Sequence, residues 1–500
     1  MSPVRFDLPK GHSHRQPGRC AAARKRAQAA APLRASVIAI AIATVASVAS
    51  RVIADAVEAP AGTPWARHQI SAPGLDGSDG TRFADVDGDG LLDVATAFEG
   101  AGVTLLFRHP GPDAVRAPWP AVAVGQTPSA EDAALVDLDG DGAIDVVTST
   151  EKGSEQLFVH WGPQRAERRW DRQAWTQASI DAVRGVSMWM FTEPLQVRAG
   201  GPIVLAAGGK NYQRDGSAVL GLAIPGDDPR DVANYRWRQL ASASWVMSIV
   251  ASDVNGDGHA DLIYTDKHGP GCGVWWLENP AGQGGDPLVD AWPRHAILTE
   301  GLDGCMLLDL VDVNQDGRRD IVVPVDLPPS AAERRRVALL MRQDDAGLHW
   351  EHISLRLPPG TGAGKAATAG DVDGDGRIDV VVSSTGADGA DVGVYWLQYQ
   401  HDLHDATWRA HDIAGPEGIK YDLVHVIDVD ADGDLDVLTN DEQEIIPGFP
   451  PATDGARPLA SGASSPPSPA GEQDGPGLGV VWYENPSISA IADRAPGEGR

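Results

Sequence analysis

The nine residues Asp371-Val-Asp-Gly-Asp-Gly-Arg-Ile-Asp379 set Asp371, Asp373 and Asp375 on alternate positions of a turn, with Gly374 and Gly376 permitting the bend. That spacing grips a metal ion. Carboxylates at the first, third and fifth positions, the Arg377 carbonyl at the seventh and Asp379 at the ninth make an all-oxygen donor set, which suits Ca2+ rather than Zn2+. The phrase recurs with donors at Asp85, Asp87, Asp89, Leu91 and Asp93, and again at Asp137, Asp139, Asp141, Ala143 and Asp145. Further copies offer Asp253, Asn255, Asp257, His259 and Asp261, then Asp312, Asn314, Asp316, Arg318 and Asp320, then Asp428, Asp430, Asp432, Asp434 and Asp436. One copy would be an ordinary Asp-Gly turn, but a phrase repeated with constant internal spacing along the whole chain reads as a set of calcium loops. The Asp312 copy departs most, with Asn314 for Asp and Gln315 for Gly, and there a plain Asx-turn without metal is the alternative.

The elements around the loops follow from what flanks them. An EF-hand opens the same way but closes with a Glu at its twelfth position and continues as a helix. Here the twelfth position is Val382, and Val380-Val381-Val382-Ser383-Ser384 reads as a strand. Each loop therefore joins two strands. A third strand such as Gly273-Val-Trp-Trp-Leu-Glu-Asn-Pro280 follows, and then an outer strand marked by Trp, His and Ile, as in Trp292 to Ile297, Trp350 to Ile353 and Trp408 to Ile413. Four strands per unit make an antiparallel blade, and a ring of such blades is a β-propeller.

The first aspartates lie 52 to 59 residues apart, except that Asp137 and Asp253 are separated by 116, which is two periods. Trp189 to Val197 and Pro202 to Gly209 supply a blade in that gap without an acidic loop. The expected fold is therefore all-β, a propeller of seven four-stranded blades with calcium loops in six, over residues 60–486. The last unit stops a strand short at Pro486, and the unused outer strand Trp65 to Ile70 at the other end is expected to complete it and close the ring. Residues 448–477, rich in Pro, Ala, Ser and Gly, read as a disordered insertion in that last blade, and 487–500 as a solvated tail. Trp275, Trp276 and Trp396 are expected between blades, and His295, His352 and His411, repeated on outer strands, as structural.

Residues 1–56 read as an export signal: a basic lead with Arg24-Lys25-Arg26, the apolar stretch Val37 to Ala49, and Ala54-Asp55-Ala56 as the cleavage site. An uncleaved anchor is the alternative, and the only route by which this chain would meet a membrane. The formal charge is −29, and the nine basic residues of 1–56 outnumber Asp7 and Asp55 by seven, so the rest stands at −36 (−29 minus +7). Such acidity argues against nucleic acid as a partner, and clustered carboxylates should loosen the fold once calcium is stripped. Cys272 and Cys305 remain after the leader, either as a disulfide or as two small buried residues.

The repeated Asp-x-Asp-Gly-Asp-Gly-x-x-Asp loop resembles the FG-GAP or VCBS class, the calcium-loop propeller of integrin α-subunit heads, over nearly all of Trp65 to Pro486. The resemblance implies this fold and its metal, in an exported bacterial protein, but fixes no function. With the loops on one face of the disc, the residues six before each first aspartate line the opposite mouth: Asp79, Glu131, Phe191, Met247, Met306, Lys365 and Asp422. Asp132, Trp189, Trp245, Lys420 and Tyr421 lie near them, with Lys210, Tyr212, Lys267 and His268 on neighbouring loops. Aromatic faces, lysines and carboxylates around a shallow pit suit a glycan or a protein ligand. The expectation is a secreted, periplasmic or cell-surface monomer acting as a binding or adhesion module. The alternative is a polysaccharide lyase, with Tyr421 or His268 as base and Lys420 or Lys365 as the cation that steadies an enolate. A serine hydrolase lacks its Gly-x-Ser-x-Gly elbow, and no glycine-rich turn leads into a dinucleotide-binding helix.

Overall fold

The protein is described here by a computed structural model of residues 58–442 and 477–486, apart from 73–74, 76, 332, 386, 388–390, 405–407 and 417–418. The leader expected over 1–56, the insertion over 448–477 but for Gly477, and the tail over 487–500 lie outside the described residues.

Seven antiparallel sheets follow one another along the chain. Numbered by their innermost strands, they are blade 1 (78–126), blade 2 (130–179), blade 3 (188–243), blade 4 (246–298), blade 5 (304–356), blade 6 (363–412) and blade 7, which joins 421–441 and 480–484 to 66–69. In blade 7 the strand Ala66–Gln69 pairs with Val480–Glu484, Ala66 opposite Glu484 and Gln69 opposite Val481. Second strands such as Asp93–Phe98, Asp145–Thr150 and Asp261–Asp266 are buried along their whole length, which is why they read as unbroken runs of Val, Ile, Thr and Ala. Among the described residues there is no α-helix, and no helix is long and apolar enough to cross a membrane.

The core is a series of apolar seams. Trp276 packs with Ile297 of its own blade and Leu308 and Ile321 of blade 5, and Trp482 with Phe98 and Phe107 of blade 1. Of the three outer-strand histidines expected to be structural, His295 and His411 serve these seams, whereas His352 is exposed. His295 stacks on Trp276 with ring centroids 4.3 Å apart and bonds Glu278 at 2.8 Å; His411 stacks on Trp396 at 4.2 Å and bonds Gln398 at 3.1 Å. Cys272 and Cys305 are free thiols, so the disulfide alternative is not realised in this structure.

One feature of the inner strands has no counterpart in the sequence pattern. Six of the seven carry a register shift near the same place: at Asp79/Thr81, Ala130/Asp132, Trp189/Phe191, Val246/Ser248, Gly364/Ala366 and Tyr421/Val424. The seventh is interrupted there, between Gly304–Cys305 and Asp309–Val311. A bulge bends a strand and re-aims the side chains beside it, and here it does so once per blade.

Trp65 and Ile70, 8% and 0% exposed, flank the strand that completes blade 7. A chain beginning after Ile70 forfeits both burials and leaves Val480–Glu484 as an open edge. It is expected to lose at least about 3 kcal/mol of stability, read by denaturant unfolding, and an unchanged midpoint would show that the strand contributes nothing.

Candidate functional site

Each acidic bend folds in the same way. The first aspartate accepts the N–H of the second glycine, from Gly90 to Asp85 through Gly433 to Asp428, at 2.8 to 3.2 Å. The fifth-position aspartate accepts the N–H two residues on at 2.9 to 3.1 Å. The closing aspartate uses both oxygens. One accepts the second-position N–H of its own loop at 2.9 to 3.2 Å. The other accepts a backbone N–H at the end of the third strand, from His109, Gly162, Asn279, Arg342, Tyr399 or Asn485, at 2.6 to 2.9 Å. Burial pushes Asp93 and Asp320 up to about 6, Asp145, Asp261 and Asp436 to about 7 and Asp379 to about 8, against the pull of those amides. A bound cation would reverse that shift.

The donors converge as a metal site requires. One oxygen each from Asp85, Asp87 and Asp93 lies within 4.8 Å of the others, and the same holds for Asp137, Asp139 and Asp145, for Asp371, Asp373 and Asp379, and for Asp428, Asp430 and Asp436. Each of these four bends also buries a carboxylate oxygen with no hydrogen-bond partner: Oδ1 of Asp87, Asp137, Asp371 and Asp434. An orphaned buried carboxylate oxygen is costly unless a cation meets it, so the residues fit a hard divalent ion. In the Asp253 and Asp312 bends, Asn255 and Asn314 put an amide oxygen at the third position while the backbone pattern is unchanged. Asp434, expected to give only its carbonyl, adds its carboxyl to the sixth cluster.

Arginines partly neutralise these bends. Arg108 reaches Asp87 at 2.9 Å, Arg318 reaches Asp316 at 3.0 Å, Arg377 bonds Asp375, and Arg116 of blade 1 bonds Asp430 of blade 7. Arg230 of blade 3 bonds both Asp139 and Asp141 of blade 2. Side chains also tie four of the six bends to the next blade by capping the second-position carbonyl: His109 on Val429, Arg169 on Val86, Arg342 on Val254 and Asn485 on Val372. Asn279 does the same for Val197 in blade 3, which has no acidic bend.

At the opposite mouth the seven expected residues do gather, but as a packed plug rather than a shallow pit: none is more than 6% exposed. Phe191, Met247 and Met306 join one apolar cluster. The other side is charged. Lys365 lies 2.7 Å from Glu442 and 3.4 Å from Asp422, Lys420 lies 2.7 Å from Glu442, and Lys210 lies 3.1 Å from Glu131 and bonds Glu151. Asp79 sits among carboxylates, and burial, then Glu442, Glu131, Asp422 and Glu99, hold its carboxyl well above the usual range.

Two expected ligand residues are placed elsewhere. Trp189 is fully buried, donating to the Val183 carbonyl at 3.1 Å and packing on Trp237, and Tyr421 is fully buried with its hydroxyl 2.7 Å from that of Tyr483. Both precede the bulge, so their side chains face the seam between blades. Asp132 lies inside, held by Arg82 at 3.0 and 3.1 Å. What stays accessible is an aromatic corner on blades 3 and 4. Trp245 has Lys210 and Lys267 each 4.8 Å from its ring centroid, Tyr212 edge-on at 5.8 Å and His268 at 6.1 Å. Its indole N–H is buried without a partner, Tyr212 is 40% exposed, and burial pushes His268 down to about 4.

Seven four-stranded blades, six of them bent through an acidic loop, define a β-propeller with cation-seeking turns. The chain carries FG-GAP-like repeats within this propeller: the FG-GAP-like repeat family matches residues 85–148, 253–323 and 371–439, a pair of acidic bends in each. No curated protein matches it. Solved structures with a similar trace include the V. cholerae biofilm matrix protein Bap1, 12% identical over 77% of this chain and 79% of that one with a TM-score of 0.35. They also include the α-L-arabinofuranosidase Arb93A from Fusarium graminearum, 12% identical over 64% and 89% with a TM-score of 0.35. A third is an α-L-arabinofuranosidase from Lactobacillus brevis, 11% identical over 56% and 96% with a TM-score of 0.33. Likenesses this remote transfer no chemistry.

Two substitutions test the geometry. Ala431 holds φ at +61°, where Gly88, Gly140, Gly256 and Gly374 stand in other bends, so Ala431→Gly should stabilise the protein by about 0.5–1 kcal/mol; a loss on chemical denaturation would contradict the bend. Asp79 is raised in the folded state, so the stability tied to its protonated form is present at low pH and drains away as pH rises. Asp79→Asn should leave the melting temperature at pH 4 nearly unchanged and raise it at pH 7. Equal effects at both values would remove Asp79 from its acidic surroundings.

Proposed function

We propose that the protein is an exported, calcium-stabilised propeller that binds a glycan through its mouth face. The observation that carries this reading is the corner at Trp245: a half-buried indole with an unpartnered N–H, an exposed tyrosine edge-on to it, and two lysine ammoniums over its ring. An aromatic face receives the C–H surface of a sugar ring, while the positive charge beside it favours hydroxyls or acid groups at the ring's edge. Asp79, Glu131, Lys365 and Asp422 then act as a rigid plug beneath the ligand and do not touch it.

Calcium belongs to the same reading. FG-GAP repeats typically bind it, and six oxygen-lined bends, four of them with an orphaned carboxylate oxygen, support it. Export supports it further, since modest-affinity oxygen sites fill at extracellular calcium levels. The polysaccharide lyase alternative draws less support. The Tyr421 hydroxyl is spent on Tyr483, Lys365 and Lys420 both face Glu442, and His268 lies on another blade.

A glycan array probed with the calcium-loaded protein should give a defined set of sugars whose binding falls about tenfold or more in Trp245→Ala. Because Trp245 also packs on the apolar cluster, some melting temperature is lost with it, whereas Tyr212→Ala, at an exposed ring, should weaken binding and keep the wild-type melt. Accumulation of unsaturated products in solution, or binding indifferent to Trp245, would overturn the proposal.

A further inference from the structure

The end of the molecule that carries the acidic bends holds a cavity of 660 Å3 between blades 2 and 3, lined among others by Asp139, Asp141, Trp161, Arg165, Arg168 and Arg230. Blade 3 lacks an acidic bend, and the connection after its third strand, Ala218–Ile224, brings Arg230 back over the bend of blade 2. The fork of Arg230 is specific about what it covers. Asp139 Oδ1 accepts the Asp141 N–H at 3.0 Å, and Asp141 Oδ1 accepts the Ala143 N–H at 2.9 Å. The remaining oxygen of each, Oδ2, receives Arg230: Nε on Asp139, and Nη2 on Asp141 at 2.9 Å.

Below this pair Asp137 Oδ1 is buried without a partner, and an oxygen from each of Asp137, Asp139 and Asp145 lies within 4.8 Å of the others. A cation drawn to those oxygens would share the Asp139 carboxylate with Arg230. Two positive charges on one carboxylate repel each other, which favours release of one. Arg230 is the tethered one. Its guanidinium already rests 5.0 Å over the Trp161 ring, on the cavity wall beside Arg165.

We propose that Arg230 is a built-in counter-ion that calcium displaces, and that its release turns this cavity into a site for an acidic sugar. Once a divalent ion neutralises Asp139 and Asp141, the cavity is left with the guanidiniums of Arg165 and Arg230 against Asp228, with Arg168 paired to Asp171 at its rim. A planar fork matches a carboxylate in two places at once, and an indole beside it suits the face of a pyranose ring. The volume accommodates one or two sugar rings. A uronic acid presents both features on one ring, whereas an acidic peptide presents only the carboxylate. The inference rests on calcium filling the blade 2 bend and is independent of the Trp245 corner.

The test is calorimetric titration of the full chain with methyl glucuronide, with calcium and with EDTA, against methyl glucoside and a capped aspartyl peptide. The wild-type protein should bind the glucuronide about tenfold or more tightly with calcium than without, and prefer it to both comparison ligands. Arg230→Ala should take up more calcium at limiting free calcium yet lose glucuronide binding by about tenfold, and Arg165→Ala should weaken the glucuronide without changing calcium uptake. Calcium uptake that is unchanged or lower in Arg230→Ala, glucuronide binding indifferent to calcium, or preference for the peptide would overturn the proposal. A wild-type chain that takes up no calcium would sink the metal reading with it, whereas normal uptake with Arg230→Ala behaving as wild type would sink this proposal alone.

Discussion

The structure depends on an aspartate that is buried and has both oxygens committed to backbone N–H groups. At the ninth position of every acidic bend its two oxygens join the start of the loop to the end of the third strand, so a single carboxylate sets the spacing of three strands. Buried without a counter-charge, such a carboxylate costs several kcal/mol and drifts toward its protonated form. The remaining acids of the loop add repulsion. A bend of this kind calls for a positive charge beside it, and that requirement, posed six times around one ring, shapes the rest of the molecule.

Two consequences follow from it. Neighbouring blades supply arginines to the bends, so charge on one blade is balanced by another: Arg116 for Asp430, Arg230 for Asp139 and Asp141. Side chains that follow the third strands also reach the second-position carbonyls of the preceding bend, as Asn485 does for Val372 and Asn279 for Val197. The Glu-Asn-Pro phrases of the sequence are therefore joints between blades. With one face stiffened in this way, the opposite face is free to carry whatever loops a ligand needs, which is the division of labour proposed for the Trp245 corner.

The blade count, the four-strand unit and the acidic bends were legible because each is set by residue types at fixed spacing, and a repeated phrase averages out local accidents. The mouth was legible only in part. Its seven positions do converge, yet the bulge that aims them has no residue signature: Glu131, Met247 and Lys365 stand at equivalent places and share no chemistry. A one-residue shift exchanges the two faces of a strand, which is why Trp189 and Tyr421, just before it, point into the seams. The arginine counter-ions could not be read at all. Arg230 and Asp139 are far apart in the chain, and an arginine in a loop reads as solvated surface until the fold brings an acid to it.

The central claim, that cations hold these bends, is tested most directly by differential scanning calorimetry of the chelated protein as calcium is returned to it. The account predicts that the melting temperature climbs with free calcium, by about 10 °C or more once every bend is saturated. A melting temperature that is the same in EDTA and in saturating calcium would contradict it.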